Sequence, residues 1–226
     1  MDESARLAHA LEWLALTLVR AGRPASAAVL DSRYREACRA PSPGEPSLLI
    51  QVLHGLGVPL AEARAMRRVL PWEAVPLQAY PDAVPALRAL REAGFRVGVL
   101  ANQPASTRGD LDGAGVSALC DGVWLSDAVG LAKPDPRLFQ LPLDAWELPP
   151  GRVAYVGDRP DLDVAPARAL GMATVRVLTG PHALQPPRRD GETPTMEART
   201  LTEAVDQLLA WQAASRADAR RHGDVI

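Results

Sequence analysis

Arg152-Val-Ala-Tyr-Val-Gly-Asp-Arg-Pro-Asp-Leu-Asp-Val-Ala-Pro-Ala-Arg-Ala-Leu-Gly-Met-Ala-Thr-Val-Arg-Val-Leu178 is the stretch on which the fold turns. Residues 153–156 form a short apolar run rich in β-branched side chains, which predicts a fully buried strand. The run ends at Gly157, and three carboxylates follow closely: Asp158, Asp161 and Asp163. A helical stretch comes next, with Gly171 in the place of a C-terminal cap, and then a second strand over 173–178. Open α/β sheets keep their sites where buried strands release residues at their carboxyl ends. The same aspartates also suit a purely structural role. Asp161 can cap the helix and Asp163 can sit in its first turn, where the helix dipole favours anions.

Working outward, composition narrows the class. A chain of 226 residues fits one α/β domain, or one domain with an insertion. Hydrophobic content of 47% against 23% charged predicts a packed core rather than disorder. The net charge of -2, with no long basic run, argues against a nucleic-acid partner. Aromatic residues at 4% are too sparse for a platform that stacks single strands. Cys38 and Cys120 form no CxxC pair, which disfavours disulfide and zinc frameworks alike. The apolar stretch 7–19 is interrupted by His9 and Glu12, too short and too polar for a membrane span. No basic region or cleavage site marks a signal peptide, so the expected compartment is the cytoplasm, with no membrane partner.

The first third reads as helices. Leu7, Leu11, Leu14 and Leu18 recur at helical spacing. Leu30, Tyr34 and Cys38 continue a second helical face, which makes Cys38 a core residue rather than a nucleophile. Residues 39–46 are proline-rich and predict a loop. Ser47 can cap a helix running through His54, and Pro59 opens another that ends near Pro71. His54 has no partner motif beside it and reads as a surface or packing residue. No strand signal appears before residue 90.

From Tyr80 the pattern changes to strands alternating with helices, which predicts a parallel sheet with crossover helices. Strands are expected over 95–100 and 122–125. Asp135 and Pro136 supply the cap and first residue of a helix behind Lys133. Residues 179–195 read as a polar, proline-rich loop and 201–211 as a final amphipathic helix, with a charged tail that frays beyond Ala213. The expected division is a helical cap over 1–75, an α/β core over 76–215 and a flexible tail over 216–226. Three strand ends then meet at one edge of the sheet: Asn102, Lys133, and Asp158 with Asp163. An amide, a lysine and two carboxylates make chemical sense around a phosphoryl group and a divalent cation.

These residues resemble the haloacid dehalogenase-like hydrolase superfamily, specifically its phosphatases with a helical cap. Gly-Val-Leu-Ala-Asn-Gln (98–103) is similar to that family's second motif. Gly130-Leu-Ala-Lys-Pro-Asp-Pro-Arg-Leu-Phe139 is similar to the third, whose lysine contacts the phosphoryl group. Val156-Gly-Asp-Arg-Pro-Asp-Leu-Asp-Val164 matches the fourth, whose aspartates hold Mg²⁺. The resemblance implies an α/β, Rossmann-like parallel sheet with an N-terminal all-helical cap. It also implies Mg²⁺-dependent hydrolysis of a small phosphorylated metabolite through an aspartyl phosphate. The implied site carries Lys133 and Asn102 as catalytic residues. Ala101, Asn102 and Lys133 bind phosphate, and Asp158 and Asp163 bind the metal.

Two departures bear on that expectation. Ala101 stands where the second motif carries Ser or Thr, which removes a hydroxyl contact to phosphate. The first motif, a strand ending in DxDGT or DxGGT whose first aspartate is the nucleophile, has no counterpart, because Asp2 has no strand before it and Asp31 lies in a helical pattern. The simplest account is a chain that starts just downstream of the nucleophile strand. The central first strand is then absent and little or no activity is expected; the alternative is an inactive binding or regulatory relative. Strands 95–100 and 153–156 would face a gap, leaving backbone groups unpaired unless the two close up or another segment fills the slot. A receiver-like signalling domain also uses acidic strand ends and a lysine, but explains neither the helical front third nor the KPDP run. Substrate identity and oligomeric state leave no signature.

Overall fold

The computed structural model describes residues 2–40 and 47–221, with side chains described through 214. Most of the loop expected over 39–46 lies outside the described residues. The chain forms two compact units, Met1–Gln78 with Gly180–Pro186, and Ala79–Thr179 with Pro187–Ile226.

The first unit is helical, as the leucine spacing predicts: α1 Ser4–Arg20, α2 Ala27–Arg39, α3 Leu48–Gly55 and α4 Leu60–Arg68. Leu7, Leu11, Leu14 and Leu18 of α1 are all buried and pack in one cluster with Leu30, Tyr34 and Cys38 of α2 and the apolar face of α3. Cys38 is thus a core residue. Ser26 caps α2 by accepting from the Val29 N–H at 3.3 Å. His54 Nδ1 lies 3.1 Å from the Val58 carbonyl, closing the turn after α3. A single antiparallel bridge joins Asp2 to Gln78.

The second unit alternates helices and strands: α5 Ala83–Glu92, β1 Gly98–Ala101, α6 Thr107–Gly113, β2 Gly122–Leu125, α7 Ser126–Val129, α8 Pro136–Trp146, β3 Ala154–Gly157, α9 Ala165–Ala169, β4 Ala173–Val177, β5 Met196–Ala198 and α10 Leu201–Arg221. All pairings between these strands are parallel, but they form two sheets rather than one. β1 pairs with β2, and β3, β4 and β5 follow in that order. Among the described residues, no strand pairs with β1 and β3 across the interval between them. β1 and β3 thus share no ladder among the described residues.

Helices cover both faces of the second sheet, and β3 alternates between them. Val153 and Tyr155 pack with Phe139, Leu143, Ala167 and Met172 on the side of α8 and α9. Ala154 and Val156 pack with Val175, Val177, Ala204 and Leu208 on the side of α10. One expectation is corrected here. Residues 154–157 are only half-buried, whereas 174–177 of β4 are fully buried. The apolar run correctly marked a strand, but a strand with no partner on one edge among the described residues stays partly accessible.

Smaller differences have local causes. β1 begins at Gly98 rather than residue 95, because Val97 exchanges its backbone bonds with Asp121. Its N–H donates to the Asp121 carboxylate at 2.8 Å, and its carbonyl accepts from the Asp121 N–H at 2.6 Å. β5 was not foreseen, since three residues carry too little pattern to register. α10 runs to Arg221, beyond the expected end at 211, through a segment rich in alanine and arginine. Its start is capped twice. Thr200 Oγ1 accepts from the Glu203 N–H at 3.1 Å, and the Asp82 carboxylate accepts from the N–H groups of Leu201 and Thr202 at 2.9 and 3.2 Å.

Asp82 therefore caps a helix well over a hundred residues away in sequence. Asp82→Ala is expected to lower stability by about 1 kcal/mol, the usual value of a lost N-cap. Urea denaturation checks this, and an unchanged midpoint would show that Thr200 suffices alone.

Candidate functional site

Asn102 follows directly on β1, whose last residue, Ala101, stands in register with Leu125 of β2. Its side chain is used at both ends by one neighbour. Nδ2 donates to the Lys133 carbonyl at 2.9 Å, and Oδ1 accepts from the Lys133 N–H at 2.7 Å. The amide thus pins the loop between α7 and α8 to the end of β1, and keeps one further N–H that could serve a ligand. Behind Lys133, Asp135 caps α8 by accepting from the Arg137 N–H at 2.9 Å, as its position before Pro136 predicts.

Lys133 Nζ lies 2.5 Å from Asp163 Oδ1 and 3.2 Å from Tyr155 Oη. Asp163 is buried, at 3% exposure, and the Lys133 side chain largely so, at 13%, so the pair is mostly shielded from solvent. Tyr155 Oη also lies 3.2 Å from the Leu100 carbonyl and 3.3 Å from Asp163 Oδ1. The second oxygen of Asp163 accepts from the backbone N–H groups of Asp158 and Arg159 at 3.1 and 3.0 Å. Burial alone would raise the Asp163 pKa, but the Lys133 ammonium and these donors outweigh it and hold the carboxyl below its ordinary value. Burial likewise opposes the charge on Lys133, and the Asp163 carboxylate overcomes it, raising the ammonium's pKa.

The turn after β3 is shaped to let this happen. A Cβ on Gly157 would fall 2.6 Å from the Asp163 side chain, so only glycine permits the approach. Asp161 does not cap the following turn. It takes a two-pronged contact from Arg159, at 3.0 and 2.7 Å, with Arg188 at 3.7 Å. Arg176, in register with Gly157 on β4, is almost fully buried and directs Nε toward the Asp158 carbonyl at 3.4 Å. Burial depresses its pKa, with Glu197 and Asp158 partly offsetting the effect.

The structure thus brings Asn102, Lys133, Asp158 and Asp163 to neighbouring strand ends in one unit, with Ala101 just below Asn102. In donor chemistry, Asp158 and Asp163 suit Mg²⁺, which binds through one or two carboxylates and keeps waters. No group of three or more such ligands converges among the described residues. Asp163 is shared in this arrangement, since Lys133 already engages the oxygen that faces it.

A family model of the haloacid dehalogenase-like hydrolases matches residues 28–171, more than half of the chain. The chain belongs to this family. Haloacid dehalogenase-like hydrolase domain-containing protein 3 of Homo sapiens is 32% identical over 214 residues, covering 84% of this chain and 83% of that protein. Glyceraldehyde 3-phosphate phosphatase of Methanopyrus kandleri is 34% identical over 131 residues, 58% of this chain and 56% of its own length. The chain therefore spans little more than half of that relative. Among solved structures, one described as a predicted phosphoglycolate phosphatase from Haemophilus somnus superposes with a TM-score of 0.67 at 18% identity. It covers 90% of this chain and 91% of its own, which speaks to the fold alone. No helix among the described residues is long and apolar enough to cross a membrane.

Tyr155, Arg159 and Arg176 were not picked out by sequence reasoning. Tyr155 carries the one polar tip in the run 153–156, and Arg176 interrupts an equally apolar strand; both were available signals. The pairing of Lys133 with Asp163 sets a pH window for stability. Asp163, depressed in the folded state, contributes above the ordinary carboxyl pKa of about 4, and this is lost as pH falls through its folded-state value. Lys133, raised in the folded state, contributes below about 10 and loses that only as pH rises further. Asp163→Asn leaves the ammonium buried without a counter-charge and is expected to cost about 3–5 kcal/mol near neutral pH. Urea midpoints from pH 3 to 7 should show the acid loss shrink in this variant; an unchanged profile would place the acid sensitivity elsewhere.

Proposed function

We propose that this hydrolase takes phosphomonoesters of small metabolites in the cytoplasm, with the phosphoryl group received at the carboxyl ends of β1 and β3. The observation that carries this reading is the buried Lys133 ammonium, held between Asp163 and the strand end that bears Asn102, with Asp158 on the same turn. Phosphatases among the relatives, including a phosphoserine phosphatase of Thermus thermophilus 40% identical over 102 residues, support the substrate class. Lys133 would neutralise phosphoryl oxygens, with the Ala101 backbone N–H and the remaining amide N–H of Asn102 as further donors. Asp158 and Asp163 would hold Mg²⁺, which when bound supplies charge neutralisation at the phosphoryl group. We assign residues 1–75 to the cap that selects the substrate, 76–215 to the core and 216–226 to a tail.

The resemblance implies attack by an aspartate oxygen on phosphorus, expulsion of the alcohol and hydrolysis of the resulting aspartyl phosphate by water. The sequence offers no counterpart to that aspartate, since Asp2 has no strand before it and Asp31 lies in a helical pattern. Turnover by this chain is accordingly expected to be slight or nil. A second reading, a binding or regulatory relative without chemistry, is favoured by Ala101, where a hydroxyl contact to phosphate is gone.

The test pairs binding with turnover on the purified chain. Calorimetry should show orthophosphate binding that Mg²⁺ strengthens, and Asp158→Ala should remove the Mg²⁺ effect. Hydrolysis of p-nitrophenyl phosphate should stay near background. Mg²⁺-dependent hydrolysis that Asp158→Ala abolishes would overturn both the expected inactivity and the second reading. Absence of orthophosphate binding would overturn the phosphoryl site.

A further inference from the structure

Lys133 is the only lysine among the 25 lysine and arginine residues of this chain. Every other cation is carried by a planar guanidinium, and this one position holds a compact ammonium with three N–H donors in tetrahedral array. Two of the three are committed. One meets Asp163 Oδ1 at 2.5 Å and another Tyr155 Oη at 3.2 Å. When two of three tetrahedral donors are fixed, the direction of the third is fixed with them.

The Tyr155 hydroxyl is itself held on every side. Its ring packs against Phe139, with centroids 5.0 Å apart and planes tilted by 54°. Its single proton has two acceptors in reach, the Leu100 carbonyl at 3.2 Å and Asp163 Oδ1 at 3.3 Å. One oxygen on β3 thereby touches the main chain of β1, the ammonium of the α7–α8 loop and the carboxylate of the turn after β3. These two strands share no ladder among the described residues, and the hydroxyl is a side-chain bond that ties β3 to the β1 main chain.

We propose that Tyr155 is a positioning residue for Lys133: by accepting one ammonium N–H while anchored to Leu100, it aims the third N–H at the ligand. Only the identity of that ligand, an oxyanion, rests on the function proposed above; the orientation of the ammonium does not. Asp163 supplies the charge that keeps Lys133 in place, and Tyr155 supplies the direction. Asn102, bonded to the backbone of the same lysine, fixes the root of the side chain whose tip Tyr155 fixes.

Tyr155→Phe keeps the ring and removes only the oxygen, so packing on Phe139 is preserved. Because the chain has a single lysine, protein grown with ¹⁵N-lysine gives one ζ-amino resonance, which reports this ammonium alone. In the wild type, that signal is expected to be displaced from free lysine, with slowly exchanging hydrogens. In Tyr155→Phe, hydrogen exchange should quicken and orthophosphate affinity should fall about tenfold, the value of one hydrogen bond to a charged group. A variant whose ζ signal and phosphate affinity match the wild type overturns the proposal. If Tyr155→Phe does not fold, the wild-type resonance decides. A fast-exchanging signal at the free-lysine position, or one without a cross-peak to Tyr155, overturns the proposal, and a slowly exchanging one with a cross-peak to the Tyr155 hydroxyl upholds it. If neither protein binds orthophosphate, the phosphoryl reading fails, while the exchange difference still tests Tyr155.

Discussion

The buried ion pair between Lys133 and Asp163 is the interaction on which the site depends. Taking two charges out of water is costly, and their attraction repays it only when the remaining lone pairs and protons are also met. That demand is satisfied in detail here. One Asp163 oxygen receives the Lys133 ammonium, and the other receives two backbone N–H groups from the turn. Gly157 is glycine because the carboxylate must come this close to the main chain. Asn102 is where it is because the lysine's own backbone needs holding. Local choices that look independent in sequence serve one electrostatic requirement.

The split of the strands into two sheets gives those bonds a second duty. β3 is apolar along its length yet only half-buried, in contrast to β4 beside it, because one of its edges has no partner strand among the described residues. Backbone groups along such an edge need other partners or water. The Tyr155 hydroxyl of β3 reaches a backbone group of β1, the Leu100 carbonyl, and the Asn102–Lys133 and Lys133–Asp163 bonds continue the link between the two strand ends. Side chains thus do part of what a ladder would do, at the place where the chemistry is expected.

The surrounding charges are paired rather than loose. Arg159 and Arg188 share Asp161, Arg188 and Arg189 reach buried Glu192, and Arg176 lies between the Asp158 carbonyl and Glu197. Arginine suits these roles, since its planar fork matches carboxylate geometry. Lys133 stands apart because its three donors must reach two unlike oxygens and still leave one. A family shared by phosphatases and dehalogenases, as the relatives of this chain show, can vary its substrate around such a frame while the frame persists.

From the sequence by itself came the α/β class, the helical first unit, the strands before residue 178 and the family, with Asn102, Lys133, Asp158 and Asp163 as candidates, because periodicity and motif spacing are local properties. The core role of Cys38 could be reasoned out in the same way. Tertiary structure alone decided what those residues do to one another. Asn102 spends its amide on the Lys133 backbone, Asp161 goes to arginines rather than to a cap, and Asp163 is a counter-ion before it is anything else. Burial of 153–156 was misjudged, since a strand's exposure depends on neighbours that its own residues do not encode. Asp82 at the start of α10 and Tyr155 beneath Lys133 were invisible for the same reason. Each acts on a partner that only folding brings near, and hydrogen bonds of that kind depend on distance in space, not on spacing along the chain.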